Sequence, residues 1–293
     1  MKQQLSFFEA GIEEYGKKNI VNVASVPQRS PFRYAGGKTW LIPEIRKWLK
    51  QSNQAVPLLI EPFAGGGIVS LTAAFEKLAD QIIMVELDNE VYAVWETILS
   101  ENNKWLADRI FQFKLTIENI NDEINKENKS IRDTAFCTIL KNRTYHGGIL
   151  AKGAGLLKAG ENGKGITSRW YPKTLRDRIK AIDYIKNKIK AIEGNAFDIL
   201  DKYKNNSDAC FFIDPPYSVA GKRLYTHYDI DHELLFKKVF ELQGKFLLTY
   251  DNTEYIRNLA EKYRLEYTLI PMKTTLHYEK EELLISDNFT WFN

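Results

Sequence analysis

Short apolar runs that end in glycine, proline or an acid alternate along the chain with longer stretches of helical periodicity. The run Leu58–Ile60 is followed by three glycines and by an apolar helix pattern from near Ile68. The run Ile82–Glu86 is followed by a second helix pattern from about Asn89. Two strand–turn–helix units in tandem predict a parallel sheet with helical crossovers, and therefore an α/β fold.

The same alternation resumes in the second half of the chain. A strand is predicted to end near Glu193 and to be followed by a short helix, and the pattern predicts four further strands at 209–213, 245–252, 264–272 and 282–287. Amphipathic helices are predicted over 231–243 and 253–263. Periodicity of about 3.6 residues for helices and short apolar runs for strands underlie these assignments.

The region between the two halves has a different pattern. Residues 101–140 are predicted to be helical with a polar joint at 121–130, and seven glycines between Gly147 and Gly165 predict a long functional or mobile loop. We therefore predict a core formed by 31–100 and 186–293, a mostly helical inserted domain at 101–185, and an N-terminal tail or extension at 1–30.

Composition excludes several classes of protein. The chain has 293 residues, of which 44% are hydrophobic and 27% charged, as in ordinary globular proteins. Its apolar runs are shorter than the roughly 18 residues needed to span a bilayer, and its first residues lack the apolar segment of a secretory signal. Cys137 and Cys210 lie in apolar surroundings, which predicts reduced core thiols. These features predict a cytoplasmic protein with no membrane partner.

Charge is distributed unevenly along the chain. The net charge is only +3, but residues 141–190 hold thirteen basic and three acidic side chains, giving +10 there and −7 elsewhere. A block of this kind indicates contact with a polyanion, although a solvated helix face would also explain its second half.

The glycine turn at 61–67 ("EPFAGGG") indicates a ligand site. Glycines between a strand and a helix permit positive φ and close approach of the backbone to a ligand. The stretch is neither a dinucleotide fingerprint nor a P-loop, which favours a nucleoside over a phosphate. Glu86, which ends the next strand, is placed to accept both hydroxyls of a ribose.

The stretch "DPPY" at 214–217 ends another strand. Pro215 and Pro216 cannot donate to a sheet ladder, so the strand should stop near Asp214. Asp214 is then expected at the carboxyl edge of the sheet, where ligands of open α/β sheets bind, with Tyr217 just beyond it.

Taken together, these stretches resemble the Dam-type, alpha-class (D12) DNA adenine-N6 methyltransferases. The chain has "YAGGK" (34–38), "EPFAGGG", the basic insert and "DPPY" in the family's order, and "LKNRTYHGG" (140–148) resembles the start of the family's DNA-reading region. The resemblance covers about residues 31–290. It implies a Rossmann-like core that uses S-adenosyl-L-methionine, an inserted DNA-recognition domain, and transfer of a methyl group to N6 of adenine in duplex DNA without a metal.

The resemblance also assigns candidate residues. The catalytic set is the "DPPY" motif, namely Asp214, Pro215, Pro216 and Tyr217. The cofactor-binding set lies at the turns and strand ends and comprises Tyr34, Ala35, Gly36, Gly37, Lys38, Glu61, Pro62, Phe63, Gly65, Gly67, Glu86, Asn195, Ala196 and Asp214. The DNA-binding set lies in the insert and comprises Asn142, Arg143, Lys152, Lys158 and Arg169.

Two positions depart from the family pattern. Asn195 stands where the family usually has an acid, and its amide oxygen is still expected to accept a bond from the adenine amino group of the cofactor. Glu86 stands where Asp is common, which lengthens the arm without changing the chemistry.

Other functions remain open at this stage. A cytosine-N4 DNA methyltransferase or an RNA methyltransferase could use the same "DPPY" motif, and a catalytically silent nucleic-acid-binding module or a small-molecule methyltransferase belongs to a different class. Motif order favours adenine in DNA, and the basic insert argues against a small-molecule substrate. We expect a monomer whose partner is double-stranded DNA. A cognate restriction endonuclease would be a partner in function but not necessarily in contact, and the recognised DNA site does not follow from the sequence.

Overall fold

The computed structural model describes residues 20–34, 36–51, 54–151, 153–160, 163–217, 229–273 and 279–292. The described chain contains a seven-stranded sheet with the order β3-β2-β1-β4-β5-β7-β6. The strands are β1 Val56–Glu61, β2 Ala79–Glu86, β3 Ile189–Glu193, β4 Ala209–Ile213, β5 Lys245–Asp251, β6 Glu266–Lys273 and β7 Glu279–Ser286. The helices of eight or more residues are α1 Ile42–Leu49, α2 Ile68–Phe75, α3 Asn89–Leu99, α4 Asn103–Gln112, α5 Ile117–Asn125, α6 Ile131–Thr144, α7 Pro172–Ile182, α8 Ala196–Tyr203, α9 His232–Phe240 and α10 Glu254–Lys262.

Strands β1 to β5 confirm the predicted parallel α/β sheet. β1 pairs in parallel with β2 and β4, β2 with β3, and β4 with β5. The order 3-2-1-4-5 is that of a Rossmann-type sheet, in which the order reverses between β1 and β4. The two faces are covered by separate clusters of buried apolar side chains, as a doubly wound sheet requires.

The last two strands complete the sheet in a way that the hydrophobic pattern does not reveal. β7 lies between β5 and β6 and is antiparallel to both. Asp251 of β5 therefore lies directly opposite Glu282 of β7, at the edge where the parallel strands end. This pairing brings a residue from near the end of the chain to the carboxyl edge of the core strands.

Some secondary-structure elements are longer than predicted. β2 begins at Ala79 rather than Ile82, because the exposed Asp80 and Gln81 still belong to the ladder that pairs with β1. Backbone hydrogen bonds extend a strand beyond its apolar residues, so polarity alone ends the prediction too early. Similarly, α5 runs to Asn125, well into the predicted polar joint.

The helices of the insert pack on the core. Leu106 of α4, Phe136 of α6 and Ile179 of α7 belong to the same buried cluster as Trp95 of α3. The described part of the loop between α6 and α7 includes short 3₁₀ turns at His146–Gly148 and Gly165–Arg169 and an isolated bridge between Tyr145 and Leu156. The predicted domain boundaries at 101 and 185 stay predictions.

None of the helices in the described ranges is long and apolar enough to cross a membrane.

Candidate active site

A cavity of about 460 Å³ lies at the carboxyl edge of the sheet, next to the ends of β1, β2 and β4. Most of the predicted cofactor-binding residues line it, namely Tyr34, Gly37, Lys38, Glu61, Pro62, Phe63, Gly65, Gly67, Glu86, Asn195, Ala196 and Asp214. Pro216 also lines it, whereas Gly36, Pro215 and Tyr217 do not. Ala35 lies outside the described residues. The structure thus brings the two predicted motifs to one cavity.

The glycine turn between β1 and α2 leaves no room for side chains. Gly65 and Gly67 have φ of +45° and +60°. A Cβ on Gly65 would lie 2.6 Å from Cε1 of Tyr34, and one on Gly67 would lie 2.6 Å from Cε of Met84. The Trp95 Nε1–H donates to the Gly65 carbonyl at 2.9 Å, which fixes the turn against α3. Glycine is required here both for the backbone angles and for the close packing.

Glu86 joins this turn to the end of β2. Its Oε2 accepts from the Gly65 amide at 2.9 Å, and its Oε1 accepts from the Asp88 amide at 2.9 Å. Burial raises the pKa of Glu86 to about 7, against the opposing effect of these amide bonds. A carboxylate has about four lone-pair sites, so these two bonds leave part of its accepting capacity for a ligand.

Glu61 ends β1 and is buried beside the same cavity. Its Oε2 accepts from the Ser70 amide at 3.1 Å and from the Ser70 hydroxyl, which ties the strand to the first turn of α2. Burial raises the pKa of Glu61 to about 8. Both of these hydrogen bonds link β1 to α2, which is a structural role. The predicted contact of Glu61 with the cofactor stays a prediction.

Asp214 follows the last residue of β4 and is held by two side chains. The Thr249 hydroxyl of β5 donates to its Oδ1 at 2.7 Å, and Lys38 Nζ lies 2.8 Å from the same oxygen. Among the described residues no hydrogen bond to Oδ2 is found. One oxygen is therefore fixed by the protein, and the other is available to a ligand.

Lys38 is buried among acceptors. Its Nζ donates to the Gly36 carbonyl at 3.0 Å and lies 3.8 Å from Oε2 of Glu282, in addition to the contact with Asp214. Burial alone would lower the pKa of Lys38, but the carboxylates of Asp214 and Glu282 outweigh it and raise the pKa. Lys38 is therefore a fixed positive charge at the site.

Tyr217 is held beyond Asp214 by contacts on its ring and its hydroxyl. The hydroxyl donates to Oε2 of Glu282 at 2.8 Å, and the ring stacks on Tyr250 with centroids 5.8 Å apart. Lys38 Nζ lies 4.9 Å from the ring centroid, within the range of a cation–π contact. Burial and the neighbouring Glu282 carboxylate raise the pKa of Tyr217 well above its ordinary value, so it stays a hydrogen-bond donor.

Asn195 caps α8 with the oxygen that the sequence analysis assigned to the cofactor. Its Oδ1 accepts from the Phe197 amide at 2.9 Å. The amide oxygen is thus already used once, although a second lone pair remains. The expected bond from Asn195 to the adenine amino group stays a prediction.

Two of the predicted DNA-binding residues are buried. Asn142 accepts from the Arg33 amide at 2.8 Å and donates to the carbonyls of Arg33 and Gly148, and Arg143 donates to the Pro31 carbonyl. Burial lowers the pKa of Arg143 to about 10. These positions favour a structural role, fastening the segment before Tyr34 to α6, and DNA contact by the two residues stays a prediction.

The remaining predicted DNA-binding residues lie on the loop between α6 and α7. Lys158 is exposed and Arg169 is half-buried, while Lys152 lies outside the described residues. Gly148, Ile149 and Leu150, at the start of the same loop, line the cavity. The loop therefore extends from the candidate active site to the surface.

Sequence reasoning missed the residues that hold Asp214 and Tyr217. Thr249 lies in β5 and Glu282 in β7. The stretch "EELLISD", which contains Glu282, resembles the family's closing strand, but neither residue was assigned to the candidate site. The pairing of β5 with β4 and β7 brings both of them there.

Comparison with known proteins identifies the family. The model of the D12 class N6 adenine-specific DNA methyltransferases matches residues 34–276. The DNA N-6-adenine-methyltransferase of Escherichia phage P1 is 29% identical over 119 residues, which is 40% of this chain and only 15% of the phage protein.

Solved structures with a similar fold include several methyltransferases, among them the following two. An rRNA methyltransferase from Streptomyces viridochromogenes is 11% identical with a TM-score of 0.40, covering 91% of this chain and 93% of its own. A precorrin-6y C5,15-methyltransferase from Geobacter metallireducens is 11% identical with a TM-score of 0.39, covering 87% and 91%. The family model spans most of the chain and both site motifs, and the chain belongs to the D12 class N6 adenine-specific DNA methyltransferases.

Proposed function

We propose that the protein transfers a methyl group from S-adenosyl-L-methionine to N6 of adenine in duplex DNA. The observation that carries the proposal is the placement of Asp214. Its carboxylate lies on the rim of the cavity formed by the glycine turn, with one oxygen fixed by Thr249 and Lys38. This arrangement suits an acid that must orient an amine toward a cofactor held at the turn.

The residues present fit S-adenosyl-L-methionine. The turn at Gly65 and Gly67 brings bare backbone to the cavity, and Glu86 offers carboxylate lone pairs to a ribose. When bound, the cofactor supplies an electrophilic methyl group whose leaving group is a neutral thioether. Residues at the turn, Glu86 and the start of α8 would hold its nucleoside part.

Asp214 and Pro215 would act on the target amine. The exocyclic nitrogen of adenine is a poor nucleophile because its lone pair is conjugated with the ring. The free Oδ2 of Asp214 and the Pro215 carbonyl would each accept a hydrogen bond from one of the two N–H groups of this amine. These bonds favour a pyramidal nitrogen with an available lone pair. Acceptors fixed in advance stabilise the positive charge that develops on this nitrogen in the transition state. After the methyl group is transferred, the nitrogen would lose one of these two protons to solvent, which leaves neutral N6-methyladenine.

Tyr217 would receive the base outside the helix. Enzymes that modify a base inside a duplex first rotate it out of the stack, and aromatic rings then bind it. The Tyr217 ring is already fixed by Tyr250 and by its bond to Glu282, so little side-chain freedom would be lost on binding. A ring held in place before binding would therefore favour a productive orientation of the base.

Duplex DNA is the proposed partner, with the loop between α6 and α7 as its contact. Much of the charge on α7 and the turn after it is paired within the protein: Lys173 and Arg176 contact Asp177, Lys180 contacts Asp108, and Lys186 contacts Asp183 and Glu101. Lys158 and Lys164 of the loop are exposed, and no described acid pairs with them. A monomeric state, a location in the cytoplasm of a prokaryotic cell or phage-infected host, and a functional link to a restriction endonuclease stay predictions.

Asp214→Asn tests the proposed mechanism. The amide oxygen can still accept a hydrogen bond from Thr249. Toward the target amine, however, the neutral amide is a weaker hydrogen-bond acceptor than the carboxylate. We expect transfer of a labelled methyl group to duplex DNA to slow by about 100-fold or more, as for loss of a transition-state contact. Duplex binding should persist, because phosphate contacts dominate it.

The matched control is Asp208→Asn, which makes the same change at an exposed position just before β4. Its rate should equal that of the unaltered protein. A fully active Asp214→Asn protein would contradict the role given to the carboxylate.

A further inference from the structure

Glu282 is a buried acid on β7 whose contacts all lead to the target side of the site. It is 5% exposed and is followed in the strand by Leu283 and Leu284, which are fully buried. Its Oε2 accepts from the Tyr217 hydroxyl at 2.8 Å and lies 3.8 Å from Lys38 Nζ. Lys38 also contacts Asp214, and Asp214 and Tyr217 are the residues where we propose that the base is received.

A purely structural role explains this acid poorly. Burying a carboxylate costs free energy, and replacing a buried ion pair by apolar side chains often stabilises a protein. Glu282 lies opposite Asp251, a second buried acid, so the strand pairing itself gives it no cation. Burial raises the pKa of Glu282, which marks the same cost. The polar groups that Glu282 contacts, the Tyr217 hydroxyl and the Lys38 ammonium, both belong to the candidate site.

The contacts of Glu282 explain how Asp214 keeps one oxygen free. Lys38 is held between two carboxylates, at 2.8 Å from Asp214 and 3.8 Å from Glu282. The attraction of Glu282 opposes a shift of the Lys38 ammonium from Oδ1 to Oδ2 of Asp214. At Oδ2 the ammonium would compete with the target amine. At the same time the bond from Tyr217 fixes the ring that would stack on the base.

We propose that Glu282 is a positioning residue for the target base, acting through Lys38 and Tyr217. It holds the Tyr217 ring in its stacking position and restrains Lys38, so that Asp214 presents its second oxygen to the amine. The proposal rests on the proposed function and extends it to a strand that carries none of the assigned catalytic, cofactor-binding or DNA-binding residues.

The test compares Glu282→Gln with Glu281→Gln in steady-state methyl transfer to duplex DNA. Both changes remove one negative charge from the same strand, but Glu281 is exposed. We expect Glu282→Gln to lower kcat by about tenfold to a hundredfold, the effect of losing contacts to a charged group. KM for duplex should stay within about twofold, because phosphate contacts set it. Glu281→Gln should change neither quantity.

A double-mutant cycle with Tyr217→Phe separates positioning from general damage. Tyr217→Phe removes the hydroxyl that binds Glu282 and keeps the ring. If Glu282 acts through this bond, the combined variant should lose less kcat than the product of the two single losses. Independent, fully multiplicative losses would overturn the proposal, and so would a Glu282→Gln protein with unaltered kcat.

Two further outcomes are distinguishable. If Glu282→Gln does not fold, Glu282→Asp keeps the charge on a shorter arm and should fold yet lose kcat, and unaltered kcat in that variant would also overturn the proposal. Failure of the proposed function would instead appear as an unaltered protein that methylates no DNA.

Discussion

Two acids at the cavity, the buried Glu61 and the half-buried Glu86, have pKa values raised to about 8 and about 7. Both are bound by amide donors, which opposes the rise, so burial is the dominant cause. Glu86 contacts the glycine turn and retains lone pairs on the cavity side, whereas Glu61 is occupied with Ser70. With a pKa of about 7, Glu86 is protonated in only part of the molecules at neutral pH, and a ribose bound to its carboxylate would displace that proton.

Binding of S-adenosyl-L-methionine should release protons near neutral pH. Hydroxyl donors favour the ionised form of Glu86 and lower its pKa from about 7, so affinity should rise as pH increases from 6 to 8. Titration calorimetry in two buffers of different ionisation enthalpy measures the number of protons released. Glu86→Gln should remove most of that release and weaken binding by about 1–3 kcal/mol.

The control for this measurement is Glu193→Gln. Glu193 is exposed and lies beside Glu86 on the neighbouring strand, so that the same charge is lost at the same edge. Its proton release and affinity should match those of the unaltered protein, while any contribution of Glu61 persists in both variants. Unchanged affinity in Glu86→Gln would remove Glu86 from the cofactor site.

At the scale of elements, the sequence predicts the parallel strands and their turns well, because each is a short apolar run ended by glycine, proline or an acid. It places Glu86 and Asp214 at strand ends for the same reason. It cannot place β7 between β5 and β6, because pairing is a long-range choice that the apolar pattern does not record. Thr249 and Glu282 lie 35 and 65 residues from their partners Asp214 and Tyr217. Their contacts with the site therefore depend on the strand pairing and could not be predicted from the pattern along the chain.

The elements within the basic stretch 141–190 differ in how far their basic side chains are paired with acids, which a count of charges along the sequence cannot show. The acids that neutralise Lys180 and Lys141, namely Asp108 and Glu90, lie outside the block in sequence. We expect the loop rather than α7 to bind phosphates. Replacing Lys158 and Lys164 by Gln should reduce the slope of log affinity against log salt by up to about one unit per lost contact.

Lys173→Gln with Lys180→Gln provides the control of equal charge, since both lysines are already paired with acids. Duplex binding measured across a salt series should show a smaller change in slope for this pair. Equal slopes for the two double variants would contradict the assignment of the loop as the DNA contact.

At the scale of the whole molecule, one apolar cluster joins helices of the predicted insert to the seven-stranded sheet. Trp95 of α3 belongs to this cluster and also donates to the Gly65 carbonyl in the glycine turn. The loop that begins at Gly148 on the cavity therefore starts from helices packed on the same core as the turn. This arrangement places the proposed DNA contact and the proposed cofactor site on one continuous framework.

The most direct test of the central claim identifies the nucleoside that the protein modifies. DNA from a host without adenine methylation, expressing the protein or its Asp214→Asn variant, is digested to nucleosides and analysed by mass spectrometry. We predict N6-methyladenine with the unaltered protein and a loss of about 100-fold or more with the variant, as for a transition-state contact. N4-methylcytosine, or no methylated nucleoside from the folded, unaltered protein, would contradict the account.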